Sequence, residues 1–533
     1  MDRPERVRAG VHLPVRVHGE ATMMNAPGPP QPWLNALYAR WVCAADLAHV
    51  HRAAVWAAGA PLVAAALVAI NQLVLLDFPN SGDEYAYLYQ ASTMAAGRLW
   101  NAPIGPADVF FFNYIVQEPG RVFGSFPAGW PLALAAGLAA GLPPWLLNPV
   151  FGALTLGLVW QLGSRLYGPR AGVSAAAIVA ASPFFLFNAA SYFSHTFSGA
   201  MLLGAACLAA RDDRRPPWVP LAAGLLIGWA VTARYFTGVV CAVPIAYWLL
   251  RPGAPRLRTA ALFALGGLPW VVLLAWYNTQ LSGSPWHLTT RPLTYSLWFA
   301  DNFALRGADM LATHVLRHLG WTPPALLVAY LVCLRSAPRE ARRGLFDWML
   351  VLLAGCLYFY VERGGNQYGP RFHYEAFPFM VVFVAGSLFS GPRLDGRPRR
   401  DRVLFGLLAA SLAAMPLSFA VHSVIEKRVI QERMDPYAAV AAARLGRALV
   451  LIDGRVGSRR SMAGYDLTRN GIDAAGRPVL YGLHLDGASG CAAAARFPDR
   501  PPHVYRWNRD QGRGELTPLR CLGRVEGGPA AGR

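Results

Sequence analysis

Between Val55 and His422 the chain runs repeatedly for about 14 to 24 residues with almost no charge. Runs of that length match the hydrocarbon core of a bilayer and are the signature of membrane-spanning helices. Composition agrees, since 54% of the 533 residues are hydrophobic and 15% charged, where soluble proteins carry about 25% charged residues. The reading is an α-helical polytopic membrane protein. It excludes a secreted enzyme, a cytosolic multidomain enzyme and a disordered scaffold, and it confines soluble chemistry to the loops and the residues after the last run.

The net charge of +19 is almost entirely arginine, because Lys427 is the only lysine. A nucleic-acid surface would need one continuous basic patch, whereas these arginines sit in short groups beside apolar runs. That arrangement is topology information, positive charge being retained on the cytoplasmic side, and it implies no nucleic-acid partner. Residues 1–54 form a polar, basic tail too long for a signal peptide ahead of the first run. Within it, Trp33, Leu34, Leu37, Trp41 and Val42 have helical spacing and suit an interfacial helix.

Twelve apolar candidates are present: 55–76, 128–142, 144–163, 171–190, 193–210, 217–233, 235–250, 259–280, 321–334, 347–361, 375–390 and 403–422. Counting all twelve places arginines on both sides. If 128–142 only dips into the interface, 23 arginines fall on the side of the N-terminal tail and 8 on the other. This gives about eleven spans in residues 55–422, a cytoplasmic N-terminus, and residues 423–533 outside an inner cell membrane. The unusual polar clusters then share the outer side, in a first loop at 77–143 and later loops at 281–320 and 362–374.

In the first loop, Asn80-Ser81-Gly82-Asp83-Glu84-Tyr85 reads as a turn opening a helix. Ser81 and Glu84 have capping-box spacing, which gives Glu84 a structural role reaching back to the Ser81 amide. Asp83 is free of that role. An acid in a first helical turn is stabilised by the helix dipole and, ionised, only accepts hydrogen bonds, as a general base must.

These residues, taken with others in order, resemble the family 39 type of membrane glycosyltransferase of the GT-C fold. The resemblance rests on the Asp83-Glu84 pair after the first span, a helix ending at Gly97-Arg98, and Phe126-Pro127-Ala128-Gly129-Trp130-Pro131. It continues through Ser194-His195-Thr196, Arg234-Tyr235-Phe236-Thr237, Tyr277-Asn278 with Gly283-Ser284-Pro285, and Tyr368-Gly369-Pro370-Arg371. The family often has two prolines where this chain has Pro127-Ala128. The resemblance implies inverting transfer of a sugar from a polyprenyl-phosphate donor to a hydroxyl of a cell-envelope acceptor, with membrane lipids as the surroundings and Asp83 as base. A lipid-phosphate leaving group calls for guanidinium donors; Arg371 is the first candidate, with Arg363 and Arg234 behind it and His195 as a further phosphate ligand.

Tyr85, Tyr87, Asn278, His287, Tyr368 and His373 are candidates for substrate contact. His373 and Glu375 stand two residues apart and would ligate a metal only with a third partner. No obligate metal is expected, a divalent ion remaining possible. The alternatives are a lipid-linked glycan polymerase or ligase, and a transporter or flippase. A transporter would place ionisable groups near the midplane, where these spans have essentially none.

After the last span charge, Gly and Pro return. Residues 438–448 have a helix pattern, and 447–453, 479–481 and 503–506 are strand candidates, giving a small α/β domain. Of seven cysteines, only Cys491 and Cys521 fall in this outward segment, where an oxidising compartment favours a bridge between them.

Overall fold

The computed structural model describes residues 32–210, 216–250, 256–286, 312–336, 367–390, 394, 397–457 and 462–521. His287, Arg363 and the expected span at 347–361 lie outside these residues.

The chain is a helical bundle capped by an α/β layer. Arg52–Leu73, Pro144–Tyr167, Arg256–Ser282 and Arg399–Ala442 are long and apolar enough to cross a membrane. The expected single span at 171–190 is broken instead. Pro169–Ala180 and Pro183–Ala190 meet at 67°, because Pro183 lacks an amide hydrogen and pushes Ser182 to extended backbone, ψ 122°. Six further apolar helices of 10 to 17 residues complete the bundle among the described residues, and five of them, all but Gly129–Ala139, fall on expected spans; length and composition alone single out four spans there, or five with the bent pair. Gly129–Ala139, in the stretch expected only to dip, has 11 residues and a length of about 16 Å, half the hydrocarbon thickness.

Phe377–Phe389 lies at the centre, with every residue except Ser387 buried. The N-terminal helix Pro32–Val50 packs onto this bundle as well as bordering it. Tyr38 sets its ring edge-on to Phe405 at 5.2 Å, Trp41 Nε1 donates to Ser174 Oγ at 2.8 Å, and Arg170 pairs with Asp46 at 2.8 Å. Where Trp218–Ala233 crosses Arg256–Ser282, a methyl group at Gly224 would sit 2.0 Å from Phe263 O and one at Gly266 2.0 Å from Leu221 O. Only glycine permits that backbone approach, the usual device for helix contact in lipid.

The last helix, Arg399–Ala442, has 44 residues and runs through the expected boundary at 422. The separate helix expected at 438–448 is its end, since Pro416 and Pro436 are accommodated inside it. The expected strands form as Ala448–Asp453, Val479–Leu483 and Pro502–Asn508, joined by Arg513–Pro518. Ala448–Asp453 pairs in parallel with both Val479–Leu483 and Pro502–Asn508, for example Leu451 opposite Gly482 and Val504. Arg513–Pro518 closes one edge antiparallel. A Cys491–Cys521 disulfide ties the helix Gly487–Ala495 to the chain after the last strand.

This layer is built onto the first loop. Leu483 N donates to Val109 O at 2.7 Å, Thr468 Oγ1 to Phe111 O at 2.6 Å, and Gly471 N to the Tyr85 hydroxyl at 2.8 Å. The loop that holds Asp83 and the C-terminal layer therefore lie on one side of the bundle.

Candidate active site

The helix Gly82–Ala95 opens with Ser81 as its N-cap, in extended backbone with its Oγ accepting from Glu84 N at 3.2 Å. This is half of the expected capping box. The other half is absent: Glu84 Oε1 accepts instead from Tyr192 N at 3.0 Å, across 108 residues, and its Oε2 has no partner. Glu84 is 1% exposed, and burial pushes its carboxyl up to about 7, with the Tyr192 amide and Arg371 opposing. A tertiary contact with the turn before His195 thus displaces the local one.

Asp83 turns the other way and meets Arg371, Nη2 to Oδ2, at 2.8 Å. Arg371 comes from a short helical turn, Arg371–His373, set by the left-handed Tyr368 (φ 57°) and Gly369 (φ 94°). Its Cζ lies 4.0 Å from the Phe193 ring centroid, a cation–π contact. Arg371 Nε and Nη1 are buried and without hydrogen-bond partners. The base candidate and the first phosphate candidate are therefore one unit, with a free guanidinium edge.

Arg234 and His195 belong to a neighbouring buried cluster. Arg234 Nε is 2.9 Å from Glu375, and His195 Nδ1 is 3.3 Å from the same carboxylate. Phe372 separates the cluster from Arg371, stacked under both guanidinium groups at 5.7 and 5.4 Å. Glu375, considered in sequence only with His373 for a metal, is here the counter-ion of Arg234. His373 points elsewhere, its Nδ1 2.9 Å from His318 Nε2 and its ring 4.9 Å from that of His314. The i, i+2 spacing sends the two side chains to different clusters, and among the described residues no group of three such side chains is placed to hold a metal ion.

The aromatic candidates divide. Tyr87 stays at the site, its hydroxyl 3.3 Å from Ser194 Oγ, and Arg234 also reaches that oxygen at 3.5 Å. Tyr368 is fully buried and holds the turn, its hydroxyl accepting from Asn80 Nδ2 at 3.2 Å. Tyr85 faces the C-terminal layer. Asn278 is not brought to Asp83; its Nδ2 donates to Pro285 O at 3.2 Å, and its neighbour Tyr277 accepts from Gln90, two helical turns along from Asp83.

Sequence reasoning missed the contribution of the C-terminal segment. Arg433 Nη1 donates to the backbone and side-chain oxygens of Asn80. Asp466 lies against Gly82, where a methyl group would come within 2.6 Å of its Oδ1. Burial, with the Asp83 charge adding to it, pushes Asp466 up to about 6 against the pull of Arg469 and Arg433. No local motif marks these residues; only the docking of the layer onto the first loop brings them in.

With this geometry the relatives can be placed. Residues 128–277 match the family described as dolichyl-phosphate-mannose-protein mannosyltransferase. The structure of ArnT from Cupriavidus metallidurans bound to undecaprenyl phosphate is similar with a TM-score of 0.54, covering 87% of this chain and 97% of that one at 12% identity. Archaeal oligosaccharyltransferase AglB from Archaeoglobus fulgidus, in complex with an inhibitory peptide and a dolichol-phosphate, gives 0.46 over 84% and 69% at 15% identity. No curated protein sequence matches the chain. The chain thus shares its fold with ArnT over most of its length and matches the mannosyltransferases at residues 128–277; it is a multi-pass membrane protein of that fold, similar to these glycosyltransferases.

Proposed function

We propose that the protein transfers a sugar from a polyprenyl-phosphate donor to a hydroxyl of a cell-envelope acceptor, at the outer face of the inner membrane and with inversion. The observation that carries this reading is the Arg371–Asp83 pair with the rest of the guanidinium unpartnered. A donor phosphate fits that free edge, and a guanidinium holds the charge that grows on a leaving phosphate. Asp83 takes the proton of the acceptor hydroxyl as its oxygen attacks the anomeric carbon. The bond from that carbon to the phosphate oxygen breaks on the opposite face, and polyprenyl phosphate leaves on Arg371.

Arg234 and His195, held by Glu375, flank this centre and position the phosphate through Phe372 and Ser194. Tyr87 lines the sugar side. We propose no obligate divalent ion, since a monophosphate leaving group is matched by guanidinium charge; activity that survives EDTA supports this, and activity restored only by a divalent ion contradicts it. The test of the whole reading is purified protein with a polyprenyl-phosphate sugar. Release of polyprenyl phosphate and a product of inverted anomeric configuration are expected; an intact donor, or retained configuration, overturns the reading.

A further inference from the structure

Arg469 has no role in the reaction above, yet it lies beside the same helical turn. Its Nε donates to Asp466 O at 3.0 Å, and its Cζ lies 4.3 Å from the Phe78 ring centroid and 5.2 Å from that of Tyr85. Both terminal nitrogens are shut off from solvent with no hydrogen-bond partner. Arg433, next to it in space, spends Nη1 on Asn80 and leaves Nε unpartnered. Buried N–H groups of a cation are costly when unbonded, and a planar guanidinium fork is shaped for a carboxylate or a phosphate. Two aromatic faces fix the fork in place.

An anion at Arg469 does not coincide with the donor phosphate at Arg371. Asp83 and Tyr85 are two residues apart, about 200° around the helix axis, so Arg371 on Asp83 and Arg469 over Tyr85 approach the turn from different sides. Arg371 directly precedes the apolar helix Phe377–Phe389, where a polyprenyl chain has its lipid surroundings. Arg469 belongs to the C-terminal layer. Resting on the glycosyltransferase reading, we propose that Arg469, with Arg433 beside it, is the specificity-determining anion site of the acceptor, which carries a phosphate or carboxylate near the hydroxyl that receives the sugar.

The test uses the full chain in nanodiscs with saturating polyprenyl phosphate, so that Arg371 is occupied. Binding of hexyl glucoside and of its 6-phosphate is compared. The phosphorylated compound binds at least about ten-fold more tightly, the worth of one charge-assisted hydrogen bond. Arg469→Gln abolishes that preference, and Arg469→Lys, which keeps the charge and loses the fork, reduces it several-fold. Equal binding of the two compounds to the unaltered protein, or a preference that survives intact in either variant, overturns the proposal. Donor cleavage by the same preparation is read separately: an intact donor defeats the glycosyltransferase reading, whatever the binding shows.

Discussion

Arg371 and Asp83 are 288 residues apart in the chain and meet at 2.8 Å, Nη2 to Oδ2, with the remaining edge of the guanidinium unpartnered. The pair ties the turn before the central helix to the first turn of the loop helix. In the proposed reaction it sets the distance between the base, Asp83, and the phosphate ligand, Arg371.

Arg371→Lys keeps the charge but loses the planar fork. The expected result is donor affinity weakened about ten-fold or more, the worth of a charge-assisted hydrogen bond, with a larger loss in Arg371→Ala. Equilibrium binding of a polyprenyl-phosphate sugar checks it. Unchanged affinity in Arg371→Ala removes this residue from the site.

Glu84 gives a stability signature. Its carboxyl is raised from 4.5 to about 7 by burial, so the fold favours the protonated form. That stabilisation is fully present below about 4.5 and is lost as pH rises through about 7. Glu84→Gln keeps an acceptor for Tyr192 N without the charge, so its unfolding temperature changes less between pH 5 and 8 and exceeds that of the unaltered protein at pH 8. The difference is on the order of 3 kcal/mol at most. Parallel pH profiles contradict the assignment.

The Cys491–Cys521 bridge encloses a separation of 30 residues, and its loss destabilises the C-terminal layer by roughly 3 to 4 kcal/mol in the chain-entropy picture. Non-reducing peptide mapping of protein from native membranes recovers the linked pair. Free thiols at both positions contradict the bridge and the outward placement of the layer.

Orientation is tested at the short helix Gly129–Ala139. Gly141 has φ 78°, so a cysteine is better placed at the exposed, unstrained Ala140. A membrane-impermeant reagent applied from outside labels Ala140→Cys if the helix dips and returns. Labelling only from the cytoplasmic side makes it a full span and reverses every later segment.

What was legible in the sequence followed from local pattern. Aliphatic runs flanked by Gly and Pro mark Ala448–Asp453, Val479–Leu483 and Pro502–Asn508. The break at Ser182-Pro183 was readable in principle, but a continuous apolar count hides it. The length of Arg399–Ala442 was not readable, because the change from apolar to charged composition near 422 looks like a boundary although nothing there ends a helix. Arg428 and Glu432, 3.5 Å apart on one face, continue it as a solvated helix. At the site, the chemistry of Asp83 and of Arg371 is legible in each residue singly. The Glu84–Tyr192 contact, the Glu375 counter-ion and the Arg433, Asp466 and Arg469 contribution depend on tertiary docking, which leaves no local mark.

The most direct test of the central claim is turnover by Asp83→Asn. The substitution preserves shape and removes the proton acceptor, so sugar transfer falls about 10²- to 10⁴-fold while binding of the polyprenyl-phosphate donor, held by Arg371, stays within a few-fold of the unaltered protein. Near-normal transfer by Asp83→Asn, with the donor bound as before, would contradict the account.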